Sequence, residues 1–252
     1  MLKIYLANIN YREGELEMEV RFATKRDASI SYIERDNVVK RLLALGFTPS
    51  QPDHSLRIQT DYLDSSTGNR KQSNVRTKIA GLDNIANYCR TDKIVDLNGY
   101  NLGVFEQKYR FNNRNVVVDY ANFDDYNFRV SLQVEKTLDN ESGLVQSIIG
   151  NWEGSNKTFR FLNRVTFESD AYPVKVDISV VKSSMRVGAN RFVDSGLLSA
   201  REHYEIEIEV NNKKVGPGTT YNTPLTLGTA LKKVIKFILS GIQSTNYPVS
   251  YK

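Results

Sequence analysis

The chain has 252 residues, 40% of them hydrophobic and 25% charged, with a formal net charge of +5. That is the profile of a globular protein able to bury a real core as one β-rich domain or two small ones. No run of about 18 uncharged apolar residues occurs, and the opening Met1-Leu2-Lys3-Ile4-Tyr5-Leu6-Ala7-Asn8 lacks a signal-peptide core, so no membrane association and an intracellular, soluble location are expected. A single cysteine, Cys89, excludes an internal disulfide framework, and the modest positive charge permits a polyanionic partner without requiring one.

In chain order, the first regular stretch is Glu15-Leu16-Glu17-Met18-Glu19-Val20-Arg21-Phe22, whose period of two separates glutamates from apolar residues as a β-strand does. Ser31-x-x-Glu34 reads as a capping box, and Val38, Val39, Leu42, Leu43 and Leu45 continue it as a helical stripe that stops at Gly46. Short strands are expected over 56–63 and 74–79, the second with Arg76 and Lys78 opposite Val75 and Ile79. Between Gly81 and Asn101 the periodicity is lost and Asn, Asp and Gly accumulate, which predicts a long surface excursion. Cys89 and Arg90 lie there without a His-Cys-x5-Arg loop, so thiol phosphatase chemistry is not expected.

Strands resume over 104–111, where Glu106, Lys108 and Arg110 alternate with Phe105 and Tyr109, and over 116–120, with Asn112-Asn113-Arg114-Asn115 as the turn between them. Residues 128–135 alternate strictly, Arg129, Ser131, Gln133 and Glu135 on one face and Phe128, Val130, Leu132 and Val134 on the other. Residues 139–157 are an inserted loop with one helical turn over 144–149. Phe159, Phe161, Val165 and Phe167 then oppose Arg160, Arg164 and Thr166. After Pro173, Lys175, Asp177 and Ser179 oppose Val174, Val176, Ile178 and Val180, with Lys182 past a switch of parity at the strand's end. An irregular stretch over 183–201 leads into the second acidic strand, Tyr204-Glu205-Ile206-Glu207-Ile208-Glu209-Val210. Residues 211–222 form a loop, and Thr223-Pro224 starts an amphipathic helix through Leu227, Leu231, Val234 and Ile238.

One acidic strand face alone is ordinarily a wetted sheet surface. Two near-copies at opposite ends of the chain, with basic strips between them, ask for a common explanation. A mainly β (α+β) fold supplies it: a closed antiparallel β-barrel of about eight strands, apolar residues outward beneath helices and charged residues inward around a wet lumen. Glutamates two apart on one strand then lie about 6 Å apart and repel by ~3 kcal/mol at an effective dielectric of ~20. Such a cluster is protonated, neutralised by lysine and arginine, or bound to a divalent cation, and all-oxygen donors favour Mg²⁺ or Mn²⁺. A cation on one wall and fixed positive charge on the others suits a polyphosphate. His54 and His203 lack a nucleophile partner, which argues against serine-hydrolase chemistry, and the Tyr and Phe residues read as core before base-stacking platforms.

The paired Glu-x-Glu-x-Glu strands, with Arg129-x-Ser131-x-x-x-Glu135, Arg164-x-Thr166 and Lys175-x-Asp177-x-Ser179 between them, resemble the triphosphate tunnel metalloenzymes. Within that superfamily the sequence is most similar to the RNA triphosphatase domains of mRNA capping enzymes from large DNA viruses of the mimivirus kind, from about Glu15 to the final helix and including the stretch from Tyr62-Leu63-Asp64 to Arg76. The resemblance implies that Glu17, Glu19 and Glu209 bind the divalent cation with Glu207 close by, and that Arg76, Lys108, Arg129, Arg164, Lys175 and Lys182 contact phosphate oxygens. It implies too that Asp177, Glu135 and Glu205 orient those basic groups or the attacking water. Lys175 stands where fungal relatives have arginine, which keeps the charge and loses the bidentate fork.

The activity so implied is removal of the γ-phosphate from 5′-triphosphate RNA, with NTPs as further substrates. Residues 1–252 are expected to form one tunnel domain, a monomer. No Lys-x-Asp-Gly nucleophile motif and no methyltransferase glycine signature is present; the resemblance to viral enzymes that run on past this stretch implies the N-terminal domain of a longer capping enzyme, with the guanylyltransferase domain in the same polypeptide. If viral, its place is the virus factory in the host cytoplasm, or the virion. Two alternatives stay open: an inorganic or nucleotide triphosphatase of the CYTH type, which Glu17-x-Glu19-x-Arg21 loosely matches, and a non-catalytic polyanion-binding or RNA-binding barrel.

Overall fold

The computed structural model describes residues 1–24, 29–63, 66–96, 98–113, 116–118, 120–186 and 188–242. Eight strands close one antiparallel barrel: β1 (Glu15–Phe22), β2 (Asp53–Leu63), β3 (Arg70–Ala80), β4 (Val104–Arg110), β5 (Phe128–Thr137), β6 (Lys157–Glu168), β7 (Val174–Ser183) and β8 (His203–Val210). Around the barrel they run β1-β8-β7-β6-β2-β3-β4-β5, and β5 pairs back onto β1 from Glu15↔Glu135 to Phe22↔Phe128. Two short strands extend it, Thr48–Pro49 beside β6 and Ala121–Phe123 beside β5.

The barrel is apolar outside and charged inside, because the helices take the outer faces. On one flank α1 (Leu2–Ala7), α2 (Tyr32–Ala44) and α5 (Pro224–Ile242) join the outward residues of β1, β7 and β8 in one core, which includes Met18, Val20, Val38, Leu42, Val176, Ile206, Ile208, Val234 and Ile238. Ile206 and Ile208 are fully buried there, each worth about 1.5–3 kcal/mol of transfer free energy. On the other flank α3 (Leu82–Thr91), α4 (Gly143–Gly150) and the 188–199 segment cover Leu56, Ile58, Val75, Ile79, Phe105 and Phe159 with Ile85, Tyr88, Val145, Trp152 and Phe192.

Local signals act as expected at the helix ends. Ser31 and Glu34 form the reciprocal capping box of α2, and Gly46 follows its end at φ +80°. The Thr223 hydroxyl accepts from Thr226 N at 3.1 Å ahead of Pro224. Three expectations need correction. The excursion from Gly81 contains α3, an amphipathic helix with Ile85 and Tyr88 buried. The 116–120 strand is reduced to a two-residue pairing with Asn112–Asn113, the turn at Arg114-Asn115 lying outside the described residues, as Asp64 does. Finally, β7 carries no switch of parity: it pairs with β6 without a break from Lys175 to Ser183, so Lys182 keeps to the face of Val180.

Candidate active site

Alternation along the eight strands sends one charged set into a single cavity of about 460 Å³. Glu17, Glu19, Glu207 and Glu209 line it from β1 and β8, Arg129 and Glu135 from β5, Arg76 and Lys108 from β3 and β4, and Arg164 and Lys175 from β6 and β7. The expected site residues from strands distant in sequence thus meet in one lumen.

Strand register decides which charges face each other. Opposite charges stand directly across at Arg21↔Glu207, Lys175↔Glu209, Arg76↔Glu106 and Lys108↔Glu135, an arrangement that favours the sheet. The side chains use it: Lys175 Nζ is 3.0 Å from Glu209, and Arg76 reaches Glu106 at 3.1 Å and Glu135 at 2.6 Å. Arg21 Nε donates to Glu207 at 2.7 Å. Lys108 turns the other way and bridges Glu17 at 2.6 Å and Glu19 at 3.0 Å.

Like charges also face each other, at Glu15↔Glu135, at Arg21↔Arg129 and at the two places that follow. Glu19 is the direct partner of Glu209. Across the lumen Arg57 lies between Arg160 on β6 and Lys78 on β3. The Nε atoms of Arg57 and Arg160 are buried without a hydrogen-bond partner. Burial, reinforced by Arg76 and Arg164, pushes the Arg57 guanidinium down to about 10.

The acidic wall is closed by shared cations, Lys108 between Glu17 and Glu19 and Lys175 on Glu209. Burial, with Glu135 and Glu209 nearby, pushes the Glu17 carboxyl up to about 7 even though Lys108 opposes the shift. Glu209 is raised by burial too, against the pull of Lys175. The donor chemistry of Glu17, Glu19 and Glu209, clustered hard carboxylate oxygens on adjoining strands, fits a divalent cation. Among the described residues no three such side chains already converge on a common point; Lys108 stands between Glu17 and Glu19 and would have to yield its place.

Three expected site residues sit elsewhere than the cavity wall. Asp177 lies beneath it, accepting from Arg164 Nη1 at 2.7 Å and Thr166 Oγ1 at 2.6 Å. Glu205 is paired with Arg160 and lies 3.5 Å from His203. Lys182 is on the outer face, its Nζ donating to Leu198 O at 3.1 Å; the unbroken alternation of β7 is the reason. Conversely Arg21, Arg57, Lys78, Glu106 and Arg160 line the lumen although none was singled out as a site residue. Arg57 carried a readable signal, the alternation Leu56-Arg57-Ile58-Gln59.

An eight-stranded tunnel with inward charge and outward helices defines the class: the chain has the triphosphate-tunnel fold. It is similar to the mimivirus capping enzyme triphosphatase, with TM-score 0.60 and 16% identity over 96% of this chain and 95% of that one. A second structure, the RNA triphosphatase domain of a trifunctional mimivirus mRNA capping enzyme, matches with TM-score 0.57 and 16% identity over 94% and 96%. The S. pombe Pct1 RNA triphosphatase matches with TM-score 0.52 and 14% identity over 96% and 90%. No protein-family model matches the sequence, and no curated protein matches it.

Proposed function

We propose that the protein is a metal-dependent RNA 5′-triphosphatase that removes the γ-phosphate from triphosphate-ended RNA in the first step of mRNA capping, and that NTPs enter the same lumen. The observation that carries this reading is the pair of like-charged rows facing one cavity, Glu19 with Glu209 and Arg160-Arg57-Lys78. Each row is unfavourable by itself. A divalent cation relieves the first and a polyphosphate relieves the second.

Glu17, Glu19 and Glu209 would hold the cation, Mg²⁺ or Mn²⁺, which supplies charge neutralisation at the phosphoryl oxygen it touches. Arg57, Lys78 and Arg160 bind phosphate oxygens from the opposite wall, with Arg76, Lys108, Arg129, Arg164 and Lys175 completing the basic surround. Phosphoryl transfer then needs mainly position and fixed charge. Asp177, itself held by the Thr166 hydroxyl, aims Arg164, while Glu135 aims Arg76, so these acids act through the guanidinium groups they hold. Glu207 is pushed up by burial but held below the ordinary carboxylate range by Arg21 and Arg164, and so stays ionised. It is an acceptor able to orient the attacking water. The diphosphate end left behind is the substrate class of a guanylyltransferase, the reaction that must follow.

One observation favours a second reading, an inorganic or nucleotide triphosphatase: the cavity wall is dominated by charged groups suited to phosphate, with little to recognise a base. Phosphate release from triphosphate-ended RNA, ATP and inorganic tripolyphosphate separates the two. We expect the largest kcat/KM on RNA. A clear preference for tripolyphosphate would contradict the capping assignment and leave the tunnel chemistry standing.

A further inference from the structure

The two acidic strands share only a short ladder. β1 pairs with β5 along its whole length, from Glu15↔Glu135 to Phe22↔Phe128, but with β8 only from Arg21↔Glu207 to Glu19↔Glu209. There the chain leaves β1: β8 ends at Val210, and the Asn211 N–H donates to Pro173 O at 2.9 Å, just ahead of β7. The seam therefore opens beside Glu17, on the edge where Glu19 already faces Glu209 across the sheet and like charges repel.

A single side chain bridges the opening. Asn212 Nδ2 donates to Leu16 O at 3.0 Å and to Glu15 Oε1 at 3.3 Å, which continues the hold on β1 where its ladder with β8 has stopped. On its other side, Asn212 Oδ1 accepts from the hydroxyl of Tyr5, a fully buried residue of α1. With oxygen and nitrogen both engaged, the amide has one orientation. Burial, with Glu209 and Glu15 nearby, pushes the Tyr5 hydroxyl up, so it keeps its proton and stays a donor. Asn211 fixes the turn that carries the amide, its side chain accepting from Lys213 N at 3.0 Å.

We infer that Tyr5 and Asn212 are positioning residues of the cation site: they lock the open end of the β1/β8 seam and so set the distance of Glu17 and Glu19 from Glu209. The inference rests on the reading of those three carboxylates as the groups that hold the cation. Neither Tyr5 nor Asn212 lines the lumen. They act through Glu15 and Leu16, the residues immediately ahead of Glu17. A small cation such as Mg²⁺ demands oxygens at about 2.0–2.1 Å in near-octahedral array. A seam that gapes by a fraction of an ångström therefore loosens its hold.

The test measures Mn²⁺ affinity by electron paramagnetic resonance of the free ion, with a thermal melt on each sample, for the wild type, Tyr5→Phe, Asn212→Ala, Glu209→Ala and Gly241→Val. Loss of uptake in Glu209→Ala identifies the signal of this site. Gly241→Val crowds Val38 between α2 and α5 and is the control for lost stability alone. Mn²⁺ affinity should fall about 10- to 100-fold in both Tyr5→Phe and Asn212→Ala and stay at the wild-type level in Gly241→Val, whatever its melt. Saturating Mn²⁺ should restore phosphate release in Tyr5→Phe, which a general loss of folded protein would not allow. Unchanged Mn²⁺ affinity in both seam variants, or an equal loss in Gly241→Val, would overturn the lock and leave the cation reading standing. Failure of the cation reading looks different: wild-type protein that takes up no Mn²⁺, or Glu209→Ala protein that takes it up normally, overturns that reading and the lock with it.

Discussion

Arg57 is the residue at which stability and function part company. Its guanidinium faces Arg160 and Lys78 across the sheet, and its Nε is buried without a partner. Unmade buried hydrogen bonds cost about 1–3 kcal/mol. Arg57→Gln should therefore raise Tm, by about 2–4 °C per kcal/mol relieved, while phosphate release falls ~10²-fold; thermal melts and steady-state rates on the same preparations check both signs. The alternation around Arg57 was legible in the sequence, but its neighbours were not, because β2, β3 and β6 meet only once the register is set. Glu205 carries the clearest acid signature. Burial pushes its carboxyl up, but the His203 hydrogen bond and the Arg160 charge outweigh burial and bring it down to about 2. A depressed carboxyl adds stability above its ordinary pKa and loses it as pH falls toward the depressed value. The Tm gap between wild type and Glu205→Gln should accordingly be wide at pH 7 and close progressively below pH 4; a gap constant with pH would contradict the pairing. Burial, with Asp92 beside it, pushes the Cys89 thiol up to about 11. Alkylation by iodoacetamide should be slow at pH 8 and rise only as pH nears that value.

Among the elements, the eight barrel strands were legible, whereas α1 and α3 were not. Strict alternation over 128–135 placed Arg129, Ser131, Gln133 and Glu135 together, and all four line the lumen. In α3 the apolar spacing of Leu82, Ile85 and Tyr88 was present, but Asn and Asp in the same stretch gave it the composition of a loop. Tertiary contact with β2 and β3 settles it as helix. Lys182 was misplaced because a reversal of parity was assumed where β7 runs unbroken. The packing of α2 on α5 was invisible in sequence because it rests on a missing side chain. A Cβ at Gly241 would lie 2.7 Å from Val38 Cγ2 and 3.2 Å from Val38 N. Gly241→Val should cost roughly 1–3 kcal/mol by overpacking, read as a lower Tm; an unchanged melt would show that the two helices separate freely.

Across the whole molecule, helices on both flanks force the barrel inside out, and that inversion gives the charges their meaning. Paired opposite charges hold much of the lumen together, and the Glu19–Glu209 pair and the Arg160-Arg57-Lys78 row are among the like-charged contacts that remain. The barrel could be anticipated because period-two strands and amphipathic helices leave few other solutions. The rows could not, since cross-strand partners are a property of closure. Among the described residues no helix is long and apolar enough to cross a membrane. On the proposed function the acidic pair Glu19 and Glu209 serves a divalent cation in γ-phosphate removal. Its most direct test is phosphate release from triphosphate-ended RNA by wild type, Glu19→Ala and Glu209→Ala, with Mn²⁺, with Mg²⁺ and with chelator, each protein first shown by thermal melting to be folded. Turnover is expected with a divalent cation and none with chelator, with a loss of ~10²-fold or more in either folded variant. Full turnover in chelator, or near-normal turnover in a folded Glu209→Ala, would contradict it.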